Sequence, residues 1–129
     1  LGKDEIFARY LGDHSRAFIP SSDMPPADGI RLLNQAGALA ILAHPGELRK
    51  TKFSELFGLA FDGAECYYPN HTPQRTREFI RACLARKRFI TCGSDDHGIP
   101  RDQKHGTLGS TPFAEAHLNP FLDYMDIQL

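Results

Sequence analysis

The stretch Ala38-Leu-Ala-Ile-Leu-Ala-His-Pro-Gly46 decides the fold class of this 129-residue chain. It opens with six apolar residues, 38–43, and then turns at His44. An uninterrupted apolar run of this length is typical of a strand that is covered on both faces, as in parallel sheets. The stretch therefore predicts a buried strand that runs into a polar turn.

Further strands and helices alternate with this run along the chain. The second and third predicted strands are Ala64–Tyr68 and Phe89–Cys92. The predicted helices are 4–11, a segment from Pro25 to Gly37 capped by residues 21–23, 53–60, and one that begins at Pro73 with Thr72 as its cap. The alternation predicts an α/β fold with parallel strands and covering helices. Beyond Gly98 we expect a loop at 99–105 and a last short strand at 107–111.

Composition excludes several classes of protein. The apolar share of 41% and the charged share of 24% are typical of a folded domain, and the length suits a single one. No apolar run approaches the ~20 residues that span a bilayer, so we expect no membrane segment. The net charge of −1 gives no overall basic surface. The three cysteines are widely spaced without a C-x-x-C pair, which indicates buried, reduced thiols in a cytoplasmic protein.

Polar residues return to one place in this pattern, the carboxyl end of each predicted strand. His44 follows the first strand, Glu65 to His71 close the second, and Asp95 with His97 follow the third. The carboxyl ends of parallel strands form the functional face of α/β folds. The sequence therefore predicts a functional site at this edge of the sheet.

Asp95 and His97 are two residues apart, so in extended backbone both side chains point to the same side. A carboxylate and an imidazole that converge in this way suit a divalent cation such as zinc, manganese or iron. Asp96 then points the other way, toward solvent or the periphery of the site. The alternative is an Asx-type turn that leaves His97 exposed without a ligand role.

Three further residues at this edge have two interpretations each. His44 is either a ligand or a turn residue before proline. Glu65 lies in a mostly buried strand, so it either lines a pocket or forms a salt bridge with an arginine of the following helix. His71 precedes a helix N-terminus, where it either helps to bind phosphate or is a simple loop histidine.

The remaining basic and imidazole groups carry weaker signals. A small basic group follows His44 and either attracts a phosphate or forms a solvated face; it consists of Arg49, Lys50 and Lys52. The other histidines fall in loop-like or unassigned settings and carry no pattern; they are His14, His105 and His117.

Three ordered segments resemble the later motifs of the PHP (polymerase and histidinol phosphatase) domain. These segments are Ile41-Leu-Ala-His-Pro-Gly46, Asp62-Gly-Ala-Glu-Cys-Tyr-Tyr-Pro69 and Cys92-Gly-Ser-Asp-Asp-His-Gly98. They look most like the branch of small metal-dependent phosphoesterases that act on nucleotides and RNA ends. Arg9-Tyr-Leu-Gly12 and Phe18-Ile-Pro20 resemble the exit from the helical insertion of that branch. The resemblance runs from about Leu1 to Ser110.

The resemblance implies a distorted (β/α)7 barrel with two or three metal ions at the carboxyl ends of its strands. His44, Asp95 and His97 correspond to metal ligands, and the ions would be manganese, zinc, iron or magnesium. The implied activity is hydrolysis of phosphate esters by a metal-activated water, with nucleotides, other phosphorylated small molecules or short nucleic acids as substrates.

The chain also departs from the PHP pattern. No two histidines are two residues apart, so the first His-x-His motif is absent, and so are the early Asp-His and Val-Glu motifs. We therefore expect the C-terminal half of a barrel, with residues 1–20 ending the helical insertion, 21–111 forming barrel strands and helices, and 112–129 a tail. Such a piece should be inactive alone and should pair with a second copy or with the missing half.

Two other functions remain open. The chain could be a non-catalytic structural or regulatory half-barrel. It could also belong to an enzyme of the histidinol-phosphate phosphatase type. An upstream His-x-His motif would favour the enzymes over the non-catalytic alternative.

Overall fold

The computed structural model describes residues 2–12, 15, 17–19, 24–100, 102 and 104–126. His14 and the predicted cap at residues 21–23 lie outside this part of the chain. Helices and strands follow one another as α1 (Lys3–Ile6), α2 (Pro26–Gln35), β1 (Ile41–Leu42), α3 (Phe53–Leu56), β2 (Gly63–Tyr67), α4 (Pro73–Ala85), β3 (Phe89–Cys92) and α5 (Glu115–Tyr124). A π-helical turn, Phe7–Leu11, continues α1, and a 3₁₀ turn, Pro45–Glu47, follows β1.

The three strands form one parallel sheet in the order β1-β2-β3. Ile41 pairs with Gly63, and Gly63 pairs with Phe89. Residue 63 must be small, because a Cβ there would lie 2.6 Å from the carbonyl oxygen of Phe89. The predicted α/β class with parallel strands and covering helices is thereby confirmed.

The core lies between the sheet and the helices that follow its strands. Phe79 and Cys83 of α4 are fully buried against Ala64 and Cys66 of β2, and Leu118 of α5 joins the same cluster. Phe53 of α3 extends this core, since its ring centroid lies 4.8 Å from that of Phe57 and 4.6 Å from that of Phe79. All three cysteines are free, and the predicted burial holds for Cys66 and Cys83, while Cys92 is half-buried.

Helix α4 begins and α2 ends as predicted. The Thr72 hydroxyl accepts a hydrogen bond from the backbone N–H of Arg75 at 3.3 Å, which caps α4. Gly37 follows α2 at φ +76°, a conformation that glycine adopts without strain. The strands nearest the predicted site are β2 and β3, and both ends of each lie within one residue of their predicted positions.

Three predicted elements are shorter than expected or absent. Only Ile41–Leu42 of the predicted strand 38–43 joins the sheet, because the Asp62 side chain accepts the hydrogen bond of the Ala40 N–H at 2.7 Å. The predicted helix 53–60 ends at Leu56. The prediction of a strand at 107–111 is wrong, since these residues form turns.

The C-terminal residues contain a helix that packs on the sheet. Helix α5 contacts β3, and the ring of Phe121 meets that of Phe89 edge-on with centroids 5.7 Å apart. The division at residues 20 and 111 into insertion, barrel and tail stays a prediction. No helix in the described part of the chain is long and apolar enough to cross a membrane.

Candidate metal centre

The carboxyl ends of the three strands meet at Tyr68, which directly follows β2. Its ring is tilted against that of His44, beyond β1, with centroids 5.5 Å apart. Its hydroxyl donates a hydrogen bond to Oδ2 of Asp95, beyond β3, at 3.2 Å. Burial, followed by this bond to a carboxylate, raises the pKa of Tyr68, which keeps the hydroxyl protonated as a donor. The predicted convergence of polar residues at this edge is therefore present in the structure.

Two of the predicted ligands lie at strained backbone positions. His44 has φ 27° and Asp95 has φ 55°, both in the left-handed region that residues other than glycine rarely adopt. Such conformations cost about 1–3 kcal/mol each and cluster at functional sites. The strain is consistent with a backbone that aims these side chains for function rather than for stability.

Asp95 and His97 lie together with a third residue, a histidine that carried no pattern in the sequence analysis. One ligand atom from each of Asp95, His97 and His105 lies within 4.8 Å of the other two. The two imidazole rings are tilted by 32° to each other with centroids 4.0 Å apart, and Nε2 of His105 lies 3.7 Å from Oδ2 of Asp95. This group, Asp95, His97 and His105, is called the loop cluster below.

Asp102 fixes His105 in the loop cluster. Its Oδ2 lies 2.7 Å from Nδ1 of His105, and its Oδ1 accepts the backbone N–H of Lys104 at 2.8 Å. These bonds, led by the one to His105, lower the pKa of Asp102 to about 2, so the carboxylate is ionised. An ionised carboxylate only accepts hydrogen bonds, and Nδ1 of His105 therefore carries the proton.

Asp96 points away from the loop cluster, as predicted. Its two carboxylate oxygens accept the backbone N–H groups of Gly98 and Leu108, at 2.7 and 2.8 Å. The same bonds lower the pKa of Asp96. Asp96 therefore braces the loop that carries the loop cluster.

Glu65 contacts backbone at both neighbouring strand ends. Its Oε2 accepts the N–H of His44 at 2.8 Å, and a Cβ at residue 93, now Gly93, would collide with its Oε1. The alternative salt bridge to an arginine of α4 is absent among the described residues. Glu65 thus holds the turn that carries His44, and a role of Glu65 in the pocket stays a prediction.

Both ring nitrogens of His71 are engaged within the protein. Nδ1 donates to the carbonyl of Cys66 at 3.0 Å, and Nε2 accepts the N–H of Gly46 at 3.0 Å. Burial lowers the pKa of His71, in keeping with a neutral ring. Phosphate binding by His71 stays a prediction, and it would require one of these bonds to break.

The sequence anticipated part of this site. Asp95 and His97 lie together, whereas His44 lies beside Tyr68 and is not a member of the loop cluster. Its role as a ligand stays a prediction. His105 and Asp102 were missed, although their spacing of three residues is a signal that a carboxylate orients an imidazole.

The donors of the loop cluster suit a divalent cation. One carboxylate and two imidazoles are the ligands that zinc, manganese and iron prefer, whereas magnesium prefers oxygen ligands alone. Asp95 and His105 are half-buried and His97 is exposed, so the loop cluster is open to solvent on one side. The residues present thus fit a transition-metal ion with positions left for other ligands.

Known proteins resemble the chain in sequence and in fold. No family model matches it. Over 72 residues it is 32% identical to phosphoribosyl 1,2-cyclic phosphate 1,2-diphosphodiesterase of Eggerthella lenta, a match that covers 55% of this chain and 28% of that protein.

Two solved structures share the fold, each with a TM-score of 0.65. One is a protein of Bifidobacterium adolescentis assigned to the metal-dependent phosphoesterases, 19% identical, with 93% of this chain and 43% of that chain covered. The other is an amidohydrolase of Chromobacterium violaceum with bound sulfate and no metal, 18% identical, with 95% and 44% covered.

The chain spans less than half the length of each of these three proteins, which agrees with a partial barrel. The sequence match to a diphosphodiesterase and the shared fold both agree with the resemblance seen in the motifs. Over the part that it covers, the chain is therefore similar to PHP-like metal-dependent phosphoesterases.

Proposed function

We propose that this chain forms part of a metal-dependent phosphoesterase that hydrolyses phosphate esters. The observation that carries the proposal is the loop cluster, which puts one carboxylate and two imidazoles at the carboxyl edge of a parallel sheet. This is where α/β enzymes bind their substrates. The diphosphodiesterase of Eggerthella lenta supports the same type of reaction.

The residues at this edge have distinct roles in the proposal. Asp95 and His97 hold a divalent cation, and His44 contributes to the same centre from the end of β1. Tyr68 holds the carboxylate of Asp95 by its hydrogen bond, and Glu65 holds the backbone of His44. When bound, the cation supplies Lewis-acid chemistry for attack on phosphorus.

A basic cavity beside this edge favours an anionic substrate larger than phosphate. The cavity measures about 580 Å³, begins at Pro45 and reaches the first two turns of α4. Four cationic side chains line it, with Glu78 as its only carboxylate: Arg49, Lys50, Lys52 and Arg75. None of these cations takes part in a salt bridge among the described residues. We therefore assign the substrate to nucleotides, ribose phosphates or nucleic-acid ends.

A cyclic phosphodiester is a specific candidate within this class. The curated relative is named for action on phosphoribosyl 1,2-cyclic phosphate. The cavity has room for the sugar and a second anionic group of such a molecule. A phosphomonoester such as a nucleoside monophosphate is the alternative, and the two differ in whether a ring is opened or phosphate is released.

The chain alone is proposed to turn over little or no substrate. A bridged centre of two or more metal ions needs more ligands than the loop cluster and His44 supply. We propose that the rest of the centre comes from other residues of the whole protein or from a second copy of the chain. A cytoplasmic location, expected from the free cysteines, belongs to the same proposal.

Hydrolysis assays in excess manganese test the function. The whole protein should hydrolyse members of a panel of nucleoside monophosphates, short oligonucleotides and ribose cyclic phosphates, and His97→Ala should abolish this activity. Residues 1–129 should stay at the level of a control without protein. Failure of the whole protein on every substrate of the panel would contradict the function. Sustained turnover by residues 1–129 that His97→Ala abolishes would contradict only the incomplete centre.

A further inference from the structure

We propose that His105, positioned by Asp102, is a metal ligand, so that Asp95, His97 and His105 together bind a transition-metal cation. The inference rests on the proposed function and deepens it, because neither the motifs nor the resemblance assigns a role to either residue. The cation belongs to the class of zinc, manganese, iron and cobalt, which accept imidazole nitrogen as well as carboxylate oxygen.

The protonation of the two imidazoles is the first argument. Nδ1 of His97 lies 2.7 Å from the carbonyl oxygen of Asp95, and Nδ1 of His105 lies 2.7 Å from the carboxylate of Asp102. Both acceptors lack a proton, so in both rings Nδ1 is the donor. In the neutral ring Nε2 then carries a lone pair and no proton, which is the form that binds metals.

The second argument is that these lone pairs have no partner within the protein. Across the part of the chain that the structure describes, Nε2 of neither His97 nor His105 accepts a hydrogen bond. Nε2 of His105 lies 3.7 Å from Oδ2 of Asp95, a distance too long for a hydrogen bond and between two electron-rich atoms. A positive charge between them would stabilise the arrangement.

A divalent cation can supply that charge. The rings of His97 and His105 are tilted by 32° to each other with centroids 4.0 Å apart, so the two imidazoles lie side by side next to Asp95. A divalent cation bound there would neutralise Asp95 and use both lone pairs at once.

The third argument is the contact between Asp102 and His105. Histidine ligands commonly donate their other N–H to a carboxylate, which fixes the tautomer and raises the basicity of the coordinating nitrogen. Asp102 is itself held by the N–H of Lys104. His105 is the most buried of the three ligands, with 14% of its side chain exposed, so Nε2 is held in place before a cation arrives.

Cobalt binding to residues 1–129 tests the inference, because Co²⁺ reports coordination in its visible spectrum independently of activity. We expect His105→Gln to weaken Co²⁺ binding at least as much as Asp102→Asn, for which roughly 10–100-fold is expected. His117→Gln is the matched control, since glutamine can still bond to Tyr67, and it should bind Co²⁺ as the wild type does. Circular dichroism establishes that each variant is folded.

Paramagnetic proton NMR of the wild type removes any dependence on a folded variant. A coordinated histidine keeps its Nδ1–H, so two exchangeable, strongly shifted signals are expected from His97 and His105. One signal alone, or a His105→Gln variant that binds Co²⁺ like the wild type, overturns the ligand role of His105 and leaves the proposed function standing. Absence of Co²⁺, Zn²⁺ and Mn²⁺ binding by both residues 1–129 and the whole protein overturns the inference and the metal-dependent function together.

Discussion

His71 and the histidines of the loop cluster lie at the same edge of the sheet, yet their rings are used differently. All three rings, those of His71, His97 and His105, direct Nδ1 to an oxygen of the protein. Only in His71 is Nε2 also engaged, by the N–H of Gly46. The loop cluster leaves Nε2 available in both of its rings.

This difference separates a structural histidine from a candidate ligand. His71 joins the turn after β1 to the end of β2, and a Cβ at Gly46 would lie 2.5 Å from its ring, so the contact is tight. A histidine with both nitrogens satisfied inside the protein has nothing left for an ion. A histidine anchored through one nitrogen is oriented and still reactive.

The largest effect is expected from breaking the loop cluster. Asp95→Asn and His97→Ala should each lower bound metal and reduce turnover of the whole protein by at least roughly a hundredfold, because each removes a proposed direct ligand. The exposed His97→Ala should leave the unfolding midpoint of the metal-free protein unchanged. Metal analysis, kinetics and urea unfolding check these outcomes, and normal metal content in either variant would remove that residue from the centre. His44→Ala belongs to the same experiment and decides whether His44 is a ligand.

The substitution His71→Ala should lower the stability of the protein and leave its metal binding intact, the reverse of the result expected for the loop cluster. This change removes two hydrogen bonds and leaves the N–H of Gly46 and the carbonyl of Cys66 without their partner, at a cost of about 2 kcal/mol in the free energy of unfolding. Affinity for Co²⁺ should be unchanged. Urea unfolding and a cobalt titration on one preparation measure both quantities. A stable variant with weakened metal binding would place His71 in the metal centre and end the distinction drawn above.

A pH effect should follow from the same ring. Burial lowers the pKa of His71 in the folded protein, although the bond to Cys66 and the charges of Glu65 and Glu47 act in the opposite direction. Its folded pKa therefore lies below the unfolded value of about 6.5. The stabilisation by neutral His71 is complete above the unfolded pKa and is lost as the pH falls through the folded pKa. The difference in unfolding free energy between wild type and His71→Ala should shrink from pH 7.5 to pH 5, and a difference independent of pH would argue against a neutral buried ring.

Only a small effect on stability is expected from Glu65→Gln. The glutamine carbonyl can still accept the N–H of His44, so the free energy of unfolding should change by less than about 1 kcal/mol. If Glu65 lines the pocket, turnover of the whole protein should fall more than stability does. Thermal unfolding and kinetics on one sample compare the two, and a lower melting temperature with unchanged turnover per folded molecule would make Glu65 purely structural.

Local patterns predicted the sheet better than the loops. The strands predicted at 64–68 and 89–92 lie within one residue of β2 and β3, because mostly apolar segments of strand length leave a local signal in the sequence. The run at 38–43 was misjudged, since an apolar pattern does not reveal that Asp62 takes the hydrogen bond of Ala40. The side chain of Asp62, 22 residues away, takes the place of a neighbouring strand as the hydrogen-bond acceptor there.

The candidate site shows the same difference between local patterns, which could be predicted, and contacts between distant residues, which could not. Asp95 and His97 could be predicted as a pair because their spacing of two residues is local. His105 joins them through a loop whose path depends on Asp96 holding the N–H of Leu108 and Asn70 holding the carbonyl of Lys104. Such contacts between distant residues leave no periodic signal. Only the Asp102-x-x-His105 spacing was available in the sequence.

The hydrogen bond from Tyr68 to Asp95 gives the molecule a built-in optical reporter. The chain has no tryptophan and four tyrosines, so tyrosine dominates its ultraviolet emission. A phenol bound to a carboxylate emits more weakly than a free one, because the excited phenol passes its proton to the acceptor. A cation that binds Asp95 weakens the carboxylate as a proton acceptor. The fluorescence of Tyr68 should therefore increase. Occupancy of the site can thus be followed by fluorescence without a label.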